Sequence, residues 1–201
     1  MTMRVLGLTG GIATGKSTCV EILRSLDPHI VIFDADQCVA ELYQRADVAA
    51  ALVRLVGESA YLENAELNRA YLRERMFAEP ELRREIQNLI HPLVRKECLV
   101  SLEIASKTIG TTSFIADVPL LFEGAFDFGQ DANLVVTVSR ETQEQRLMMR
   151  SGFDVATVHA ILEAQLPISH KEKCADVVFW NEGPKYVLEA QLKRFIENNY
   201  R

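Results

Sequence analysis

No apolar run in the 201-residue chain approaches the length of about 18 residues needed to cross a membrane. A membrane partner is therefore not expected. The opening MTMRVLGLTGG holds a short apolar run without the pattern of a secretory leader. Blocks of like charge are missing too, and acids outnumber bases 28 to 22, for a net charge of -6. A general nucleic-acid binder carries a basic face, so nucleic-acid partners are not expected either. The cysteines, Cys19, Cys38, Cys98 and Cys174, form no C-x-x-C pair and do not cluster with the four histidines. That argues against a disulfide framework or a zinc site. Small buried thiols in a reducing compartment, the cytoplasm, are the expectation. The chain has no internal repeat and no low-complexity linker.

What is present is a chain of ordinary globular composition, 48% apolar and 25% charged. Its length suits one compact domain with room for inserted lobes. Continuous apolar runs predict buried strands at 4–9, 30–33, 114–118, 134–139 and 176–180. Helical spacing marks 16–26, 141–150 and 185–199. This alternation predicts an α/β fold, a parallel sheet flanked by helices. Between about 35 and 110 no good strand occurs. Amphipathic helices are expected at 47–57, 65–78 and 80–90, with a break or kink near His91 because Pro92 follows it.

Gly10 to Ser17 reads GGIATGKS and fits G-x-x-x-x-G-K-[ST] between a strand candidate and a helix candidate. That is the setting of a phosphate-binding loop. Glycines let several backbone N–H groups turn toward one anion, and the helix N-terminus adds positive potential. Lys16 can reach outer phosphates, and the Ser17 hydroxyl is a hard oxygen ligand of the kind magnesium prefers. Chance alone gives such a pattern in only about one chain in a hundred of this length. The dinucleotide fingerprint G-x-G-x-x-G is not matched.

Other candidates stand at strand ends, where parallel sheets place ligands. Asp34 and Asp36 close the second strand candidate; a carboxylate there can take a hydroxyl proton or help hold magnesium, or else cap the helix over 37–43. Asp117 ends the run at 114–118 and can approach a metal through water, or cap the turn before Pro119, with Glu123 following. Arg146 and Arg150 share a helix face and can clamp phosphate oxygens or simply be solvated. DFG at 127–129 lacks the companion motifs of a protein kinase and reads as a glycine turn. His91 by itself reads as structural.

Taken together, these segments resemble the dephospho-coenzyme A kinase family along nearly the whole chain. The resemblance rests on LTGGIATGKST (8–18), FDAD (33–36), LRERMFAEP (72–80), LIHPLV (89–94), DVPLLFE (117–123), VSRETQEQRLMMR (138–150), ILEAQLP (161–167) and ADVVFWNEG (175–183). It implies a single domain over 1–201: a P-loop kinase core of 1–34, 112–140 and 175–201, an inserted helical coenzyme A-binding lobe over 35–111, and a helical lid over 141–174. It implies transfer of the ATP γ-phosphate to the ribose 3′-hydroxyl of dephospho-coenzyme A, with magnesium accompanying ATP. Asp36, Lys16 and Arg146 would be catalytic. Gly11, Ala13, Thr14, Gly15, Lys16, Ser17, Thr18, Arg150 and Asn181 would hold ATP. Asp34, Asp36, His91, Pro119 and Leu120 would face the acceptor, and Ser17 and Asp117 the metal. A monomer or weak homo-oligomer is expected.

Three departures from the family pattern stand out. Ala13 occupies a position often held by glycine, which a loop tolerates if its dihedral angles there are ordinary. Glu172 and Cys174 stand where Arg or Lys is common. MMRSG replaces a more usual arginine–aspartate. Two rival readings are a P-loop kinase of another small acceptor, such as a nucleoside monophosphate, and a nucleotide-binding switch. A GTP switch needs N-K-x-D, which the chain lacks.

Overall fold

A computed structural model describes residues 3–199. These fall into two compact units, one running through Phe33 and resuming at Ser101, the other Asp34–Val100. The first unit is built on a five-stranded sheet in the order β2-β3-β1-β4-β5. Its strands are β1 (Arg4–Gly10), β2 (Ile30–Asp34), β3 (Ser113–Asp117), β4 (Ala132–Thr137) and β5 (Val177–Trp180). Neighbours β1–β3, β1–β4 and β4–β5 run parallel. The central strands are buried along most of their length, as expected of a sheet covered on both faces. On one face, Leu23 of α1 (Lys16–Leu26) joins Leu188 and Leu192 of α9 (Lys185–Asn199) over Leu6, Leu8, Leu134 and Phe179. Asp27 ends α1; its carboxylate accepts from the His29 N–H and the Thr112 hydroxyl.

Between β4 and β5 lie α6 (Arg140–Ser151), α7 (Val155–Glu163) and α8 (Ile168–Cys174). The strand candidate at 134–139 ends two residues early. Ser139 leaves the sheet to cap α6, its Oγ accepting from the Thr142 N–H at 3.2 Å.

The second unit holds α2 (Ala35–Leu42), α3 (Ala46–Val56), α4 (Arg69–Ala78) and most of α5 (Pro80–Lys107). One expectation fails here and a second is narrowed. The helix foreseen over 65–78 begins only at Arg69, because Ala65 turns left-handed (φ 63°) and Asn68 caps the helix through the Tyr71 N–H. No break occurs at Pro92: α5 runs 28 residues with that proline inside it. A proline removes one N–H and costs about 3 kcal/mol. Buried Ile86, Ile90, Val94 and Cys98 recur at helical spacing on both sides of it, and their packing carries the helix through.

Candidate active site

The loop between β1 and α1 is shaped by what surrounds it. A Cβ on Gly10 would lie 2.6 Å from the Val136 carbonyl oxygen, and one on Gly11 would lie 2.5 Å from the Gln143 amide nitrogen. Gly15 has φ +90°, and a Cβ there would collide with the Asn181 amide. Gly10 and Gly15 therefore have to be glycine, and at Gly11 a side chain would displace the Gln143 amide. Thr14, fully buried, closes the turn by donating from its hydroxyl to the Gly11 carbonyl at 2.8 Å. Ordinary dihedral angles at Ala13 are not found: φ is 62°, in the left-handed region. Its methyl packs with Ile12 against Leu147, Val158 and Leu162 of α6 and α7, and that burial offsets part of the strain of about 1–2 kcal/mol.

α1 starts at Lys16 with no side-chain cap and no acid in its first turn. A helix start leaves its first N–H groups without intrahelical partners, and they attract an anion. Ser17 stands exposed in that turn beside half-buried Thr18. The Lys16 ammonium pairs with Asp117 Oδ1 at the end of β3; the two side chains are 17% and 9% exposed. The strand register places Asp117 beside Leu8, at the sheet end where the loop begins. Burial, then the Asp117 charge, pushes the neighbouring Cys19 thiol up to about 12, against a smaller lowering by Lys16. The thiol is therefore neutral and inert at pH 7.

The rest of the cradle comes from elements far along the chain. Arg146 donates to the Ala13 and Thr14 carbonyls at 3.2 and 3.4 Å and to the Asn181 carbonyl at 3.0 Å. The Asn181 amide donates to the Thr14 carbonyl at 2.8 Å. Gln143 donates to the Ile12 carbonyl, and the Ile12 N–H donates to Gln165. Glu182 accepts from the Ser139 N–H and the Thr142 hydroxyl, and the Ser139 N–H above all holds its carboxyl below the usual carboxylate range. Sequence reading assigned no role to Gln143, Gln165, Lys171 or Glu182. Gln143 repeats at i+4 as buried Leu147, a spacing that signals a shared face; nothing in the pattern marks the others.

Of the remaining expected residues, the Pro119 carbonyl accepts from the Thr9 hydroxyl at 2.9 Å, and Leu120 is exposed in the turn after β3. Arg150, in the last turn of α6, is exposed, and its guanidinium makes no hydrogen bond or ion pair to a described residue. Glu172 accepts from the buried Thr137 hydroxyl at 2.6 Å, and Cys174 is exposed. In the second unit, the helix cap foreseen over 37–43 belongs to Asp34: its carboxylate accepts from the Gln37 N–H at 2.9 Å and α2 begins at Ala35. Asp36 sits exposed in the first turn. His91 is exposed on α5, and the protein around its ring lowers its pKa below the ordinary imidazole value. The DFG segment is a turn, as read: Gly129 has φ 82° and its N–H donates to Asp127.

The sequence profile of the dephospho-CoA kinases matches residues 4–186. The chain belongs to the dephospho-CoA kinase family. A dephospho-CoA kinase of Enterococcus faecalis is 36% identical over 195 residues, 96% of each chain. One from Staphylococcus aureus is 37% identical over 96% of this chain and 92% of its own. The crystal structure of TT1252 from Thermus thermophilus superposes with a TM-score of 0.82 over 98% of each chain, at 29% identity. The chain is accordingly a kinase, a transferase that uses a nucleotide. Among the described residues no helix is long and apolar enough to cross a membrane.

Proposed function

We propose that this kinase moves the γ-phosphate of ATP to the ribose 3′-hydroxyl of dephospho-coenzyme A, giving coenzyme A and ADP. The observation that carries the reading is the uncapped start of α1 inside a glycine cradle, with Lys16 held beside Asp117. Such a site grips phosphates and presents a cation to the transferring group, which is most of what phosphoryl transfer requires. Residues 11–18 bind the phosphates, and Lys16 turns from Asp117 to the outer ones. Arg146, which with Asn181 holds the Thr14 carbonyl, serves the transferring phosphate; Arg150 serves the nucleotide from the exposed side of α6.

The oxygen donors fit magnesium. Among the described residues no cluster of three or more acidic, histidine or cysteine side chains forms a cage. Magnesium needs only one or two protein oxygens besides water and phosphates, which Ser17 and Asp117 supply. When bound with ATP it would neutralise charge on the phosphates. Asp36 accepts the 3′-hydroxyl proton; its carboxylate is exposed and the capping work falls to Asp34, which leaves it available. His91, Asp34, Pro119 and Leu120 serve the acceptor. The segment 141–174 forms the lid, and the enzyme acts in the cytoplasm as a monomer or weak homo-oligomer.

An acceptor panel tests this reading. ADP release should be fast with dephospho-coenzyme A and slow with nucleoside monophosphates. The opposite order would favour the nucleotide-kinase alternative, and no acceptor-dependent release would favour a switch.

A further inference from the structure

Lys171 is a charged residue with no exposed surface. An ammonium has three N–H donors, and burial is costly unless they are used. All three find acceptors: Glu123 Oε1 at 2.7 Å, the Gly10 carbonyl at 3.1 Å and the Pro119 carbonyl at 3.3 Å. The three acceptors belong to three separate parts of the catalytic core. Gly10 ends β1 and opens the phosphate loop. Pro119 lies two residues past Asp117, and its carbonyl also receives the Thr9 hydroxyl. Glu123 Oε1 also accepts the Leu166 N–H at 3.1 Å, just ahead of α8.

The pair is a poor device for stability. Glu123 Oε2 is buried and has no hydrogen-bond partner among the described residues. A buried ion pair left partly unsatisfied gives little over an apolar pair of the same volume. What it does supply is geometry. The ammonium fixes where the Gly10 carbonyl points, and so the path of the loop that carries Lys16. It also fixes the turn that follows Asp117. Lys16, beyond the loop that follows β1, and Asp117, at the end of β3, thus approach each other from segments that one ammonium holds at a set spacing.

We propose that Lys171 is a positioning residue for phosphoryl transfer, acting through the backbone on the Lys16–Asp117 pair from the base of the lid. The inference rests on the kinase reading above. It also makes α8 the fixed end of the segment between β4 and β5, since moving it would draw a buried charge from its partners.

The test uses the full chain, ATP and dephospho-coenzyme A, with melting temperature measured beside turnover. Lys171→Met combined with Glu123→Leu removes both charges at similar volume. Lys171→Met with Glu123→Gln keeps an acceptor for the Leu166 N–H. Lys171→Arg asks whether charge without the three-way geometry is enough. A displacement of about 1 Å at reacting groups costs about a hundredfold in rate. We expect kcat to fall about 10- to 100-fold in folded double variants, with KM for ATP changed less than about threefold because the loop N–H groups remain. Lys171→Arg should recover only part of the loss. Wild-type kcat in either double variant at a near-wild-type melting temperature overturns the proposal. So does a parallel loss of kcat and ATP affinity, or failure of all three variants to fold, since Lys171 would then serve stability alone. A wild-type chain inactive on dephospho-coenzyme A defeats the functional reading instead.

Discussion

Gly15→Ala perturbs the junction between the phosphate loop and α1, and the structure allows its cost to be worked out. At φ +90° an L-residue is strained, by about 1–2 kcal/mol. The new methyl overlaps the Asn181 amide, which must then leave the Thr14 carbonyl it holds at 2.8 Å; a hydrogen bond of this kind is worth about 1 kcal/mol. Alanine restricts the unfolded chain and returns about 0.4–1 kcal/mol. The net is a loss of about 2 kcal/mol, or about 4–8 °C in melting temperature for a chain of this size. Asn181→Ala alone loses the same hydrogen bond. The double variant loses it once and has no overlap, so the two losses should fall short of additive by at least about 1 kcal/mol. Thermal and urea unfolding of the four proteins measure this. Additivity within about 0.5 kcal/mol would refute the claim that Asn181 and Gly15 share one contact.

Lys16→Ala should lower kcat by about a hundredfold or more while the fold survives; unchanged turnover at saturating ATP contradicts its role at the outer phosphates. Asp34→Ala should cost about 1 kcal/mol of stability through the lost cap, whereas Asp36→Asn should leave the melting temperature in place and depress turnover, and steady-state kinetics with calorimetry on both separates the roles. Glu182 has its carboxyl pKa lowered in the folded chain, so its contribution to stability is present above the unfolded value of about 4.3 and is lost as pH falls through the lower folded value. Glu182→Gln should therefore melt below the wild type at pH 7, with the gap closing in acid; a gap unchanged at pH 3 contradicts this.

Much of the sheet was legible in the sequence because its central strands are buried on both faces and read as unbroken apolar runs. The phosphate loop was legible because its glycines answer local demands, a close backbone approach at Gly10 and a left-handed φ at Gly15. Lys171 was not legible. Between His170 and Lys173 it reads as part of a solvated helix, and its burial depends on Gly10, Pro119 and Glu123, all distant in sequence. The same limit hid the course of α5, where packing on both sides outweighs Pro92, and the dihedral angle of Ala13, which the α6–α7 cluster stabilises. Local preference sets the starting odds; contacts made across the chain decide these cases.

The central claim, transfer to a ribose 3′-hydroxyl, is tested most directly by ADP release with dephospho-coenzyme A beside its 3′-deoxy analogue. The account predicts one ADP and one coenzyme A per acceptor consumed, and no acceptor-dependent ADP with the analogue. Equal ADP release with both acceptors, or a phosphorylated product other than coenzyme A, would contradict it.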